Sequence, residues 1–441
     1  MALLHQSSAE TVDSALDLFS LPPTQTSVEN GMYVEFLPLS SLGPSATVEF
    51  AINQKGSSEF LDLANTYLYV KAKITKADES SLDEGAGVGP VNNWFHSLFS
   101  QVDLSLNNTL VTPSENIYPF RAYLERVLNF DSGAKQSQFT SEMFYADSSG
   151  HFEQVKGDEN AGMKFRCSLT ASSKEVAMYG RLHVDIMNTN RYLLNGVDVK
   201  LRLVKSKESF HLMAEGAGFK TSRSLTHVSL FVRKLRVNPS VQIPVNKALE
   251  CTSARYPVKR VTIKSFSISR GNLGSTQDNL FLAQLHTRLL VCFVDSDAFN
   301  GNFTKNPFHF KHHNVCYVSL FLDGQQIPSS PLTPDFENNQ FVRSYHRLFI
   351  ELGLASTNEG NCLNMSDFAA AYCIFAFDLS PSPLDGDQIE LIRSGSLRLE
   401  LKFAKPLQEP IHVLMYGEVD SLIEIGRNRE VVTDFTAFGI G

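Results

Sequence analysis

The sequence contains no apolar run near the ~20 residues a helix needs to cross a bilayer, and no apolar stretch with a cleavage site near its start. Neither a membrane span nor secretion is therefore expected. Its six cysteines, Cys167, Cys251, Cys292, Cys316, Cys362 and Cys373, never fall at CxxC spacing. That argues against zinc ribbons and thioredoxin-like chemistry, and leaves free, mostly buried thiols in a reducing, intracellular compartment as the expectation. Without secretion, the Asn-x-Ser/Thr triplets at Asn107, Asn302 and Asn364 are chance matches to a glycosylation pattern. Basic charge is also in short supply: the net charge is −8, and no dense Lys/Arg stripe offsets it, so specific nucleic-acid binding is not expected. The run Val232–Arg236 alternates basic with apolar residues and reads as the solvated face of a strand. There is one tryptophan, Trp94, in an apolar stretch that belongs in a core.

Catalytic motifs are missing as well. Gly216-Ala-Gly-Phe-Lys-Thr-Ser222 lacks the GK[ST] ending and buried strand of a phosphate loop. Asp295-Ser-Asp297-Ala-Phe-Asn-Gly301 begins like a calcium loop, but Phe299 stands where an oxygen ligand belongs. His309, His312 and His313 form the one histidine cluster, and adjacent residues on a strand face opposite ways. Asp385 and Asp387 sit in a Pro/Gly loop suited to turns. No GxSxG or HExxH occurs. No catalytic, metal or cofactor-binding residue is assigned, and the expectation is a protein that is not an enzyme.

What the chain does have is a duplication. Val102-Asp-Leu-Ser-Leu-Asn-Asn108 is followed by Arg121-Ala-Tyr-Leu-Glu-Arg-Val-Leu128; Val318-Ser-Leu-Phe-Leu-Asp-Gly324 is followed by Arg343-Ser-Tyr-His-Arg-Leu-Phe349. Each copy predicts an alternating strand, a tight turn tolerant of positive φ, a Pro-containing loop and a helix. The copies stand roughly 220 residues apart, about one domain length. At 441 residues the chain is long enough for two such domains, and 32 phenylalanines favour pleated surfaces. Residues 1–28 read as an arm without alternation, ending in a Pro pair at Pro22 and Pro23. Strands are predicted at Tyr33–Leu37, Val48–Ile52, Tyr67–Ile74, Val102–Leu106, Arg181–Met187, Val197–Val204 and His227–Val237. The second half retraces them at Val261–Ile268 (with a bulge), Asn279–Val294, Val318–Leu322, Tyr372–Leu379, Ser396–Phe403 and Ile411–Ile425. Residues 131–180 read as a long polar excursion exposed for a purpose, with a shorter counterpart at 355–368. A boundary near Asn238–Tyr256 gives three parts: an arm at 1–28, one domain at 29–240 and another at 241–441. About eight strands in each, without βαβ rhythm, predict an all-β chain of two tandem jelly-roll sandwiches with a few short helices in loops.

The order of its framework stretches makes the sequence resemble the major capsid (hexon) proteins of Polinton/Maverick elements and adintoviruses. The stretches are Pro22-Pro-Thr-Gln-Thr-Ser-Val-Glu29, Leu61-Asp-Leu-Ala-Asn-Thr-Tyr-Leu-Tyr-Val-Lys-Ala-Lys-Ile74 and the segment 88–102, with Trp94 at its centre. Further on come Arg191-Tyr-Leu-Leu-Asn-Gly-Val-Asp198, Asp278-Asn-Leu-Phe-Leu-Ala-Gln-Leu285, the segment 298–308 and Leu422-Ile-Glu-Ile425. The resemblance implies a double jelly roll, a homotrimer whose six rolls form a pseudo-hexagonal tile of an icosahedral virion shell, and a single-jelly-roll penton protein as partner. It implies no cofactor. The competing reading is a minor capsid or glycan-binding tandem sandwich displayed on a particle, which would need an exposed aromatic or metal-assisted sugar site.

Overall fold

The computed structural model describes residues 5–42, 47–113, 115–215, 219–220, 225–281, 284–381, 389–391 and 393–433. Alternation of apolar and polar residues sets its strands. In the first roll these are β1 (Val28–Phe36), β2 (Thr47–Ile52), β3 (Glu59–Ala72), β4 (Phe99–Leu106), β5 (Thr109–Leu110), β6 (Val176–Gly180), β7 (Val199–Lys205) and β8 (Leu225–Val237). They form two four-stranded sheets, in the orders β1-β8-β3-β6 and β2-β7-β4-β5, with every pairing antiparallel; two short ladders, Thr75–Lys76 with Phe219–Lys220 and Val88–Pro90 with Leu212–Ala214, lie beside them. The second roll holds β9 (Ala254–Ile268), β10 (Gly274–Gln277), β11 (Arg288–Asp295), β12 (Val315–Leu322), β13 (Gln325–Leu332), β14 (Ile374–Asp378), β15 (Leu397–Phe403) and β16 (Ile411–Ile425). Its orders, β9-β16-β11-β14 and β10-β15-β12-β13, repeat the first roll's strand for strand, with the short Val431–Thr433 added beside β16. Consecutive strands lie in opposite sheets except at the β4–β5 and β12–β13 hairpins, which is jelly-roll topology. The fold is a double jelly roll.

The duplicated turn is equivalent at atomic level. Asn107 and Asn108 both have positive φ, as do Asp323 and Gly324. Each first turn residue reaches the residue that precedes the next sheet-mate. Asn107 exchanges Oδ1 and N–H contacts with Asp198 (2.8 and 2.9 Å), and Asp323 does the same with Ser396 (2.7 and 2.9 Å). These side-chain acceptors pin β7 and β15 in register beside β4 and β12.

Where one face is solvated, sequence and structure agree. Leu68, Val70 and Ala72 of β3 are buried while Tyr67, Tyr69 and Lys71 are half-buried, and Val199, Leu201 and Leu203 of β7 alternate with exposed Lys200 and Arg202. Four expectations need correction. Arg181–Met187 is not a strand: the ladder on β3 ends at Gly180, and Asp185–Asn188 is a 3-10 turn. There is no bulge in β9, which pairs with β16 in unbroken register from Ala254 to Ile268. Its buried residues change parity, Tyr256 and Val258 joining the first roll's core while Val261 and Ile263 join the second's. The strand foreseen at Asn279–Val294 begins only at Arg288. Finally, 131–180 is no projecting loop. It contains the helix Ser132–Gln136, a 3-10 turn and a longer helix at Ala161–Thr170, and it buries Phe139, Phe144, Phe152, Met163 and Arg166. The arm, described from residue 5, is exposed up to Ser27 and holds one 3-10 turn.

Candidate functional site: the junction of the two rolls

The residues that sequence singles out do not converge. Asp295 lies just before the short helix Ser296–Asn300. Its carboxylate faces the ammonium groups of Lys311 (2.7 Å) and Lys305 (3.6 Å), with His313 at 3.5 Å, so two cations already occupy the supposed calcium position, and Asp297 is exposed. His309 meets the Ala370 carbonyl (3.0 Å), His312 accepts from the Asn314 amide (2.9 Å) and stacks on Phe336, and His313 faces Asp295. Among the described residues no group of three or more His, Cys, Asp or Glu is arranged to hold a metal. Asp385, Asp387 and most of Gly216–Ser222 lie outside the described residues. The asparagines of the three glycosylation-like triplets have structural partners: Asn107 donates to the Arg429 carbonyl, Asn302 accepts from the Thr304 amide, and Asn364 caps the helix Met365–Ala370. All six cysteines are free; Cys292 and Cys373 are buried, Cys167 and Cys316 half-buried, and Cys251 and Cys362 exposed. Trp94 is fully buried and donates to His211 (3.1 Å).

What the chain does build is a junction. Helix α1 (Tyr118–Leu128) buries all of its residues but Glu125. A helix buried nearly all round, its charged residues included, must be covered on both sides, and here the coverings are two different cores. Tyr118 and Ala122 join the first roll; Phe120, Tyr123, Leu124, Val127 and Leu128 join the second. Phe308, from the β11–β12 connection, stacks on Tyr123 (centroids 4.1 Å apart, 10° between planes) and meets Phe120 and Phe210 edge-on at 5.8 and 6.1 Å. The 131–180 excursion clasps the second roll as well. Buried Arg166 pairs with buried Asp147 (2.5 Å), and the other Asp147 oxygen accepts from Asn306 of the second roll (3.1 Å).

The charged residues of α1 are satisfied pairwise. Arg121 bonds Glu125 (2.8 Å) and Asp185 (2.6 Å); Arg126 grips both oxygens of Glu142 (3.0 and 2.7 Å). Against Arg126 the Glu142 carboxylate is an acceptor, so His96 Nε2–H donates to it (3.2 Å) and His96 Nδ1 accepts from the Tyr118 hydroxyl (2.9 Å). His183 Nδ1 meets Glu125. Burial pushes His183 down to about 4, outweighing Glu125, and lowers His96 likewise, so both imidazoles are neutral at pH 7. Burial also raises both glutamates, but Arg121 and His183 hold Glu125 well below the ordinary carboxylate range, and His96 with Arg126 lowers Glu142.

First-roll carboxylates then cap the second roll. Tyr416 of β16 reaches Glu125 (3.3 Å) and Glu418 (2.9 Å), while the edge-strand amides of Val261 and Ile263 donate to Asp185 (3.3 Å) and Glu115 (2.9 Å). An edge strand that would otherwise recruit a foreign strand is thereby closed off. Sequence reading missed this set, because Glu115, Glu125, Glu142 and Asp185 look like ordinary surface charges. The one available signal was the run of large apolar residues in α1, Phe120, Tyr123, Leu124, Val127 and Leu128, beside its own Arg121 and Arg126. A groove of about 870 Å³ beside the junction is lined by Arg121, Glu125, Asp185, Tyr416, Glu418 and Asp420 among others; Arg121, Glu125, Asp185 and Glu418 are engaged in the contacts above, and Asp420 accepts from the Glu390 amide (2.9 Å).

No family model matches the chain. It is 27% identical over 426 residues to an uncharacterized protein of Caenorhabditis elegans, covering 94% of this chain and 99% of that one. Among solved structures it is similar to a chain of the Sputnik virophage determined by cryo-electron microscopy (TM-score 0.64, 12% identity, 98% of this chain and 94% of that one). It is also similar to the mavirus major capsid protein (TM-score 0.56, 9% identity, 98% and 97%) and to a chain of the PBCV-1 virus capsid (TM-score 0.56, 9% identity, 94% and 99%). At these identities the likeness is one of fold, and it runs through both rolls.

Proposed function

We propose that this chain is the major capsid (hexon) subunit of an icosahedral shell. Three copies form a trimer whose six rolls make one pseudo-hexagonal tile, and a single-jelly-roll penton closes the vertices. The observation that carries the reading is the tandem repetition of one strand order along the whole chain, shared with proteins of virophage, mavirus and PBCV-1 capsids. The Polinton/adintovirus assignment rests on the sequence stretches quoted above. In this reading residues 1–28 are an assembly arm, 29–240 and 241–441 the two rolls, and the protein works in the virion without catalysis or cofactor, accumulating inside the cell before assembly. A rigid double roll suits that task. The α1 junction makes the two rolls one body, so lateral forces on a tile pass through a packed core rather than a hinge. Electron microscopy of the expressed protein, alone and with a penton protein, tests the proposal: tiles or closed shells are expected, and monodisperse single chains under all conditions would overturn it.

A further inference from the structure

The first roll exposes a sheet face whose counterpart in the second roll is covered. The outer face of β1-β8-β3-β6 carries Tyr33, Tyr67, Tyr69, Tyr179, Phe231 and His227. Tyr67 stacks on Tyr179 (5.1 Å), and Tyr179 also meets Phe231 (5.9 Å) and Tyr69 (6.4 Å); Tyr33 lies 6.3 Å from Tyr67, and His227 lies 5.6 Å from Tyr69. Tyr33 remains 52% exposed and Tyr179 37%. Thr226-His-Val-Ser-Leu of β8 matches Ile411-His-Val-Leu-Met of β16, so His227 stands where His412 does and Phe231 where Tyr416 does. In the second roll those two positions are covered. His412 stacks on Phe299, which stacks on Phe120 of α1, and Tyr416 reaches Glu125 of α1.

The covering element has a counterpart too. Helix α4 (Val342–Glu351) follows the second copy of the repeated turn as α1 follows the first; α2 (Ala161–Thr170) and α3 (Pro239–Ala248) lie between them. It buries Ser344, Leu348 and Glu351 against its own roll. The outward face is apolar at Val342 (56% exposed) and Ile350 (47%), with His346 between them and Tyr345 and Phe349 half-buried at its margin. The molecule thus contains the junction once, and presents each half of it once more to solvent.

We infer that the α4 face of a second copy of this chain seats on the Tyr33–Tyr179–Phe231 sheet face of the first roll, repeating between chains the junction that α1 makes within one. Continuity with that established interface identifies the occupant. Tyrosine-rich surfaces also suit such a role, because they bury large area while keeping a polar rim. Donor and acceptor faces differ, so the contact is head-to-tail and must either close into a ring or run on. The inference rests on the trimer reading for that closure.

Two charge-bearing variants at exposed positions test it: Tyr33→Glu with Tyr179→Glu for the sheet face, and Val342→Glu with Ile350→Glu for the helix face. Near-UV circular dichroism and melting curves establish that each is folded, with Tyr33→Ser and Tyr179→Ser as a gentler sheet variant. By light scattering each variant should run at the mass of one chain. Mixed, they should give a species of two chains and no larger, because each partner retains the face the other has lost. A wild-type trimer left intact by either variant would overturn this inference alone, as would two disrupted variants that fail to pair. A wild-type chain that is itself monomeric would overturn both this inference and the trimer reading.

Discussion

Replacing Phe308 by alanine is the sharpest probe of how the rolls are joined. Its ring is fully buried, and its neighbours Tyr123, Phe120 and Phe210 all belong to the first roll's half of the chain, although Phe308 belongs to the second. Truncating a buried phenylalanine costs about 3–5 kcal/mol through lost transfer energy and the cavity left behind. The stack on Tyr123 contributes about 0.5–1.5 kcal/mol of that beyond simple burial. Against a net stability of about 5–15 kcal/mol this is a large fraction. The loss should also fall on the docking of the rolls rather than on either sandwich alone. Urea unfolding, followed by near-UV circular dichroism, should show the midpoint fall and the single transition broaden or split. A cycle with Tyr123→Ala should give a coupling of about 0.5–1.5 kcal/mol. A loss below about 1 kcal/mol, or strict additivity in the cycle, would refute the claim that this aromatic stack ties the rolls together.

Acid should weaken the junction in two stages. His183 and His96 are held below their unfolded value of about 6.5, so the unfolded chain takes up protons first and stability falls as pH drops below that value; for His183 the fall ends near its folded value of about 4. For His183 alone the full loss is on the order of 3 kcal/mol. Glu125 and Glu142, held low in the fold, add a second loss below about pH 4, as the unfolded carboxylates take up protons before the folded ones do. Melting curves from pH 7.5 to 4 should record the first stage, which His183→Gln should flatten; an unchanged profile in that variant would count against the assignment. Gly324→Val should cost on the order of 1–2 kcal/mol, because φ is +85° there while the space around a new Cβ is open, so the loss is backbone strain alone. A melting curve indistinguishable from wild type would contradict the turn. The exposed arm, with Phe19 96% accessible, should be cut quickly by protease in the free protein and protected in an assembled shell; equal rates in both states would remove its role in assembly.

How much could be read beforehand depended on whether one face of an element meets water. Strands β3 and β7 have a solvated face, so their period of two is plain, and the repeated turns declare themselves through Asn107-Asn108 and Asp323-Gly324. In β11, Leu289 through Asp295 is buried on both sides, and periodicity cannot mark where such a strand begins. At Arg181–Met187 apolar and polar residues alternate in sequence but not in burial: His183, Asp185 and Met187 are buried along with Leu182, Val184 and Ile186, and the segment packs without a ladder. Gly180 ends that ladder where the Glu142 side chain fills the space a Cβ would need. The excursion at 131–180 misleads for a related reason. Its polar residues are numerous, yet Arg166 and Asp147 neutralise one another in the interior. The junction itself draws His96, Glu142, and His183 with Asp185, from three segments around α1, and no local pattern distinguishes a buried charge pair from two surface charges.

The shell-subunit account is tested most directly by the mass of the free protein. Size exclusion coupled to light scattering, at micromolar concentration and moderate salt, should give three times the 49.1 kDa of one chain. That mass should persist on dilution, because apolar burial is not screened as ion pairs are. A mass of one chain under those conditions would contradict the account.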